Sequence, residues 1–277
     1  MRKIIDTHCH PYLNKDKDDE EIIENFFMNW WDSMIIVWVD LKSIKKALDL
    51  SESNKNIYVA IGIHPSDVYD FNIEEIIEEF EELYEKHKDK IVWIWETWLD
   101  YYRIYKDIHR LKTSLNEKER LVNEKKRMQE DFFKAQIEFA KKHDLPVIIH
   151  NRDASEELFN IIKKTGLKKF VMHCYSEDLE FAEKLIEYSR DCKISFSWIV
   201  TFENAVEIRD AAKNIPIEYI LAETDSPYLT PSPLRWKEEN EPLYTKYVIE
   251  EIAKIREEDL EYVEDAIYNN SKEFFRI

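Results

Sequence analysis

The chain has 277 residues, 44% hydrophobic and 13% aromatic, enough for a sizeable core and suited to one large α/β barrel. A formal net charge of −18 argues against a protein that coats nucleic acid through a basic surface, but not against an enzyme that meets a polyanion through bound cations. MRKIIDTHCH offers no signal-peptide core, no run nears the roughly 18 apolar residues of a membrane span, and three cysteines are too few for a disulfide framework, so a soluble, reduced, cytoplasmic protein is expected.

Short apolar, β-branched runs recur in chain order. They are KIIDTH (3–8), MIIVWV (34–39), IYVAIGI (57–63), IVWIWE (91–96), PVIIH (146–150), FVMHC (170–174), KISFSW (193–198) and YILAET (219–224). Between them lie stretches with apolar residues at three- and four-residue spacing, among them 73–87, 156–166 and 178–189. Gly166 follows the second of these as a natural helix stop. Eight alternations with no break in composition predict a single (β/α)8 TIM-type barrel over 1–277. The acidic run Glu250–Asp265 reads as one barrel-closing surface helix.

One segment breaks the rhythm. Residues 103–128 carry nine Lys and Arg against four acids, between the fourth strand and its helix. Two readings stand: a solvated helical hairpin, or a basic arm at the mouth, since strand-to-helix loops of a barrel open onto the active-site face.

Side chains able to bind metal collect at the predicted strand ends. His8 and His10 close the first strand, two residues apart and so on one face, with Asp6 just before them. Glu96 ends the fourth strand, His150 the fifth and His173 the sixth; Asp225 follows the eighth. A barrel brings all of these to one rim. Imidazole and carboxylate donors suit Zn, Mn, Fe or Mg, and six donors exceed what one catalytic ion needs. Two ions follow, His8, His10 and Asp225 on one, His150 and His173 on the other, Glu96 bridging. Such a pair activates water and clamps the oxygens of a phosphodiester, with Asp225 shuttling the proton. Asp6 is expected behind the site, orienting a histidine.

The chain resembles the TatD-type metal-dependent deoxyribonucleases, within the amidohydrolase-like barrels. The resemblance rests on DTHCHPYL, IGIHPSDV, ETWLDYY, LPVIIHNRDA, VMHCYSED, SFSWIVTF and ETDSPYLTP, in order along nearly the whole chain. It implies metal-dependent phosphodiester hydrolysis, typically exonucleolytic on DNA, with two divalent ions (Mg, Mn or Zn). It implies His8, His10, Glu96, His150, His173 and Asp225 as ligands, and His64 and Arg152 as groups facing the substrate phosphate. Related barrels carry a carboxylated Lys where this chain has Glu96, which favours the nuclease branch. Hydrolysis of another ester or amide, such as an aminoacyl-tRNA, and a metal-binding barrel without activity are the alternatives.

The departures from the family pattern are systematic. Trp38, Trp95, Trp98, Trp198 and Trp236 stand where the family writes Gly, and Trp31 where a helix-ending Gly is usual. The chain has 2 Gly and 8 Trp, whereas average usage gives about 19 Gly in this length. In one reading the indoles line the rim and stack bases. In the other these positions are glycine in the working protein, written as Trp because UGA, which some bacterial lineages read as glycine, is translated under another code. Positions needing φ > 0 or close backbone approach favour the second, and so does the cost of overpacking, about 1–3 kcal/mol for even a few added methylenes.

Overall fold

A computed structural model describes residues 3–29, 31–37, 41–63 and 68–277, without the side chains of 41–43, 70 and 95–98. His64, Trp30 and Trp38, and the side chains of Glu96, Trp95 and Trp98, therefore lie outside the described residues.

The eight apolar runs form eight parallel strands in sequential order: β1 (Ile5–Cys9), β2 (Ser33–Val37), β3 (Ile57–Ile61), β4 (Ile91–Asp100), β5 (Val147–Arg152), β6 (Phe170–Met172), β7 (Lys193–Phe196) and β8 (Ile220–Ala222). Strands covered on both faces read as near-continuous apolar runs; SMIIV of β2 is accordingly buried throughout. Beyond β8 the chain returns to β1. Asp225 N–H donates to the His8 carbonyl at 2.9 Å, and His10 N–H to the Ser226 carbonyl at 2.8 Å. These bonds close the barrel at the end where the polar side chains gather.

The helices are α1 (Asp19–Met28), α2 (Leu41–Ser53), α3 (Ile73–His87), α4 (Tyr101–His109), α5 (Leu115–Lys142), α6 (Ser155–Thr165), α7 (Leu179–Tyr188), α8 (Val206–Asn214), α9 (Thr245–Arg256) and α10 (Leu260–Phe275). Several begin where a short polar side chain accepts a hydrogen bond from the first turn: Asp18, Asn72, Ser114, Asp178 and Asp259. Each such cap contributes about 1 kcal/mol. Gly166 stops α6 at φ +68, the left-handed geometry in which Gly is strain-free.

Three expectations are adjusted. β4 runs past residue 96 to Asp100, because ETWLD continues the ladder with β5 as far as Arg152 after a register shift between Ile94 and Thr97. The acidic C-terminal run is two helices: Glu257 turns left-handed at φ +57 and Asp259 caps a new helix. The basic segment is α4 plus the first half of α5. The fully buried apolar residues of that 28-residue helix all lie in its second half, where Phe132, Phe133, Ile137 and Phe139 join the core.

The described tryptophans differ in fit. Trp31 is buried edge-on against Phe26, with ring centroids 5.3 Å apart. Trp93 is fully buried against Phe275, yet its indole N–H has no hydrogen-bond partner among the described residues, and the same holds for Trp198. An unmet buried donor costs about 1–3 kcal/mol. Trp236 is 85% exposed at φ +67, a conformation that costs an L-residue with a side chain about 1–2 kcal/mol and glycine nothing.

Candidate metal centre

The end of β1 delivers two imidazoles to one point. His8 Nε2 and His10 Nε2 lie 3.2 Å apart. The Asp225 carboxylate stands 3.6 Å from the first and 3.7 Å from the second. His10 is fixed from behind: a carbonyl only accepts, so the 2.7 Å bond from Nδ1 to the Val37 carbonyl makes Nδ1 the protonated nitrogen and leaves the Nε2 lone pair facing the site. Asp225 occupies the left-handed region at φ +53, which Asp tolerates better than most residues, and this turn aims its side chain inward.

A second pair forms across β5 and β6. His150 Nδ1 lies 2.9 Å from His173 Nε2. The His173 ring stacks on His8 with centroids 4.0 Å apart and planes 10° from parallel, so the two pairs are contiguous. Burial, together with repulsion from His173, His10 and His150, holds His8 well below the usual imidazole pKa and keeps it neutral. A neutral imidazole is the form that binds metal.

The donor set fits divalent ions. Two ring nitrogens each about 2.0–2.1 Å from one ion, at octahedral to tetrahedral angles, lie roughly 2.8–3.4 Å apart. Both nitrogen pairs fall in that range. His8, His10 and Asp225 have donor atoms within 4.8 Å of one another, as do His8, His173 and Glu223.

Asp6 lies behind the site as expected, but it acts on the backbone. Fully buried, it accepts from the His8 N–H at 3.1 Å, the Thr224 N–H at 3.0 Å and the Thr224 hydroxyl at 2.6 Å, fastening β1 to the segment after β8. Burial pushes its carboxyl up to about 8, opposed by those bonds. Arg152 is exposed at the end of β5, its guanidinium 4.0 Å from the centre of the Tyr102 ring. On the basic segment, Lys125 sits 3.5 Å over Tyr69 and Lys126 3.8 Å over Tyr101, with Lys126 also bonded to the Tyr105 hydroxyl at 2.8 Å. Arg127 is exposed.

Glu223 escaped the sequence reading. It stands in AETD beside the more conspicuous Asp225, and its only sequence signal is a carboxylate placed one residue past an apolar strand. In the fold it is fully buried and bonded to His173.

An eight-stranded parallel barrel with histidines and carboxylates at the C-terminal rim defines a metal-dependent hydrolase. The chain belongs to the TatD related DNase family, which it matches over residues 5–276. It is 36% identical over 279 residues to the uncharacterized metal-dependent hydrolase YabD of Bacillus subtilis (strain 168), covering 99% of both chains. It is 32% identical over 279 residues to the uncharacterized metal-dependent hydrolase MJ1582 of Methanocaldococcus jannaschii, covering 99% of this chain and 97% of that one. Among solved structures, the TatD homolog YJJV of Escherichia coli K12 superposes with a TM-score of 0.81 at 25% identity, covering 99% and 98% of the two chains. Among the described residues no helix is long and apolar enough to cross a membrane.

Proposed function

We propose that this protein hydrolyses phosphodiester bonds in DNA as an exonuclease, using two divalent cations, Mg, Mn or Zn. The reading is carried by the two nitrogen pairs, 3.2 Å and 2.9 Å apart, meeting beside Asp225 at one rim. His8, His10 and Asp225 would hold one ion and His150 and His173 the other, with Glu96 shared between them. Bound there, the cations would supply a nucleophilic hydroxide at neutral pH and neutralise charge on the phosphoryl oxygens.

Asp225, whose side chain is 15% exposed, would take the proton of the attacking water and return it to the leaving oxygen. Arg152 presents a cation at the end of β5, 4.0 Å from the centre of the Tyr102 ring, where a backbone phosphate would dock; His64 would serve the same role. The basic α4–α5 segment extends this cationic surface on an otherwise acidic protein. Three buried thiols suit a reducing, cytoplasmic setting.

The test is hydrolysis of single-stranded DNA and of charged tRNA by the full chain with Mn2+ or Mg2+. DNA cleavage is expected, abolished by chelation, lost in Glu96→Ala and lowered about 10²–10⁴-fold in Asp225→Ala. Turnover of charged tRNA alone would overturn the substrate assignment. Unchanged activity in Glu96→Ala would remove the bridging role.

A further inference from the structure

We infer that Glu223 is the positioning residue of this centre, a buried carboxylate that sets the tautomer and aim of His173; the inference rests on the metal-centre reading above. Glu223 is wholly buried, and a carboxylate in that setting needs strong donors. It has three, from two different strand ends. Oε1 accepts from His173 Nδ1–H at 3.0 Å and from the Cys174 N–H at 2.7 Å, and Oε2 accepts from the Ser195 hydroxyl at 2.6 Å. With both oxygens engaged in these bonds, the role inferred for Glu223 is to orient His173 from behind.

The consequence for His173 follows from valence. Both carboxylate oxygens already act as acceptors, Oε1 toward the Cys174 N–H and Oε2 toward the Ser195 hydroxyl, so Nδ1 is the donor in the bond to His173 and the lone pair sits on Nε2. That Nε2 faces His150 Nδ1 at 2.9 Å. The same carboxylate pins Cys174, which directly follows His173 at φ +44, a conformation that side-chain-bearing residues adopt at a cost. Glu223 thus fixes both the ring and the backbone that carries it. A carboxylate behind a ligating histidine also raises the basicity of the imidazole, and loss of such a partner typically weakens metal affinity about 10–100-fold.

The experiment uses the full chain as wild type, Glu223→Gln, His173→Ala and the double variant. Mn2+ affinity is measured by titration, histidine tautomers by 15N-edited NMR after chelation, and folding by circular dichroism. Glu223→Gln keeps an acceptor for the Cys174 N–H and is expected to fold. It should bind Mn2+ about 10–100-fold more weakly, populate both His173 tautomers, and add nothing to the loss caused by His173→Ala. Wild-type affinity with an unchanged tautomer in Glu223→Gln overturns the inference. So does a further loss in the double variant, which would make Glu223 a ligand in its own right. If the variant does not fold, the wild type still decides: a His173 carrying its proton on Nε2 contradicts the assignment. Undiminished Mn2+ binding by His173→Ala would instead overturn the metal-centre reading, leaving the tautomer result to judge Glu223 alone.

Discussion

Replacing Asp6 with Ala tests how the barrel seam supports the site. The substitution removes the acceptor for the backbone N–H groups of His8 and Thr224, both buried, and for the Thr224 hydroxyl. The hydroxyl already accepts from the Ser226 N–H and can turn toward another acceptor, but the two backbone N–H groups cannot move without opening the seam. At about 1–3 kcal/mol per unmet buried donor, the expected loss is about 2–6 kcal/mol. That is a large part of a total near 5–15 kcal/mol. In a chain this long 1 kcal/mol moves Tm by about 2 °C, so a fall of about 4–12 °C is expected. The assay is thermal unfolding by circular dichroism in chelator, so that the fold is read and not the ion. Asp6→Asn keeps a carbonyl oxygen for both N–H groups and should recover most of the loss. A Tm for Asp6→Ala within about 1 °C of the parent, or an Asp6→Asn that falls as far, would refute the reasoning.

Other outcomes are equally specific. Neutralising Lys125, Lys126 and Arg127 together is expected to weaken binding of single-stranded DNA and flatten its salt dependence, by a log–log slope of about 0.7 per lost phosphate contact. Because Lys125 and Lys126 also rest on Tyr69 and Tyr101, a lower Tm should accompany that change, and Arg127 alone should alter binding without it. An unaltered salt slope would reduce the segment to a solvated hairpin. Burial pushes the Cys192 thiol up to about 12. The folded state therefore holds that proton where an unfolded thiol, with its ordinary value of about 8.5, gives it up. Its contribution to stability is full below that ordinary value and is lost as pH rises toward 12. A thiol reagent at pH 8 should label Cys192 only on unfolding, and rapid native labelling would contradict its burial. Mass spectrometry of the protein from its natural source is expected to read glycine at 38, 95, 98, 198 and 236, and tryptophan at those positions would exclude recoding. The left-handed backbone at Trp236 and the unmet indole N–H of Trp198 are the structural grounds for that expectation.

The order of the strands and the identity of the rim histidines were legible because both are local. A strand buried on both faces reads as a near-continuous apolar run, and a histidine at its C-terminal end is carried to the rim of a barrel whatever the rest of the chain does. His8, His10, His150 and His173 needed nothing more, and the fold brings all four together with Asp225. Only closure of the barrel decided the rest. Glu223 meets His173 across 50 residues and Asp6 meets Thr224 across 218, contacts that no sequence period encodes. The charge of the basic segment was legible in the sequence, but the seating of Lys125 on Tyr69 and of Lys126 on Tyr101 exists only once α5 packs against the turn at 68–70 and against α4. Periodicity fixes which way a side chain points along its own element; what it meets there depends on the neighbouring elements, and those are set by the tertiary fold.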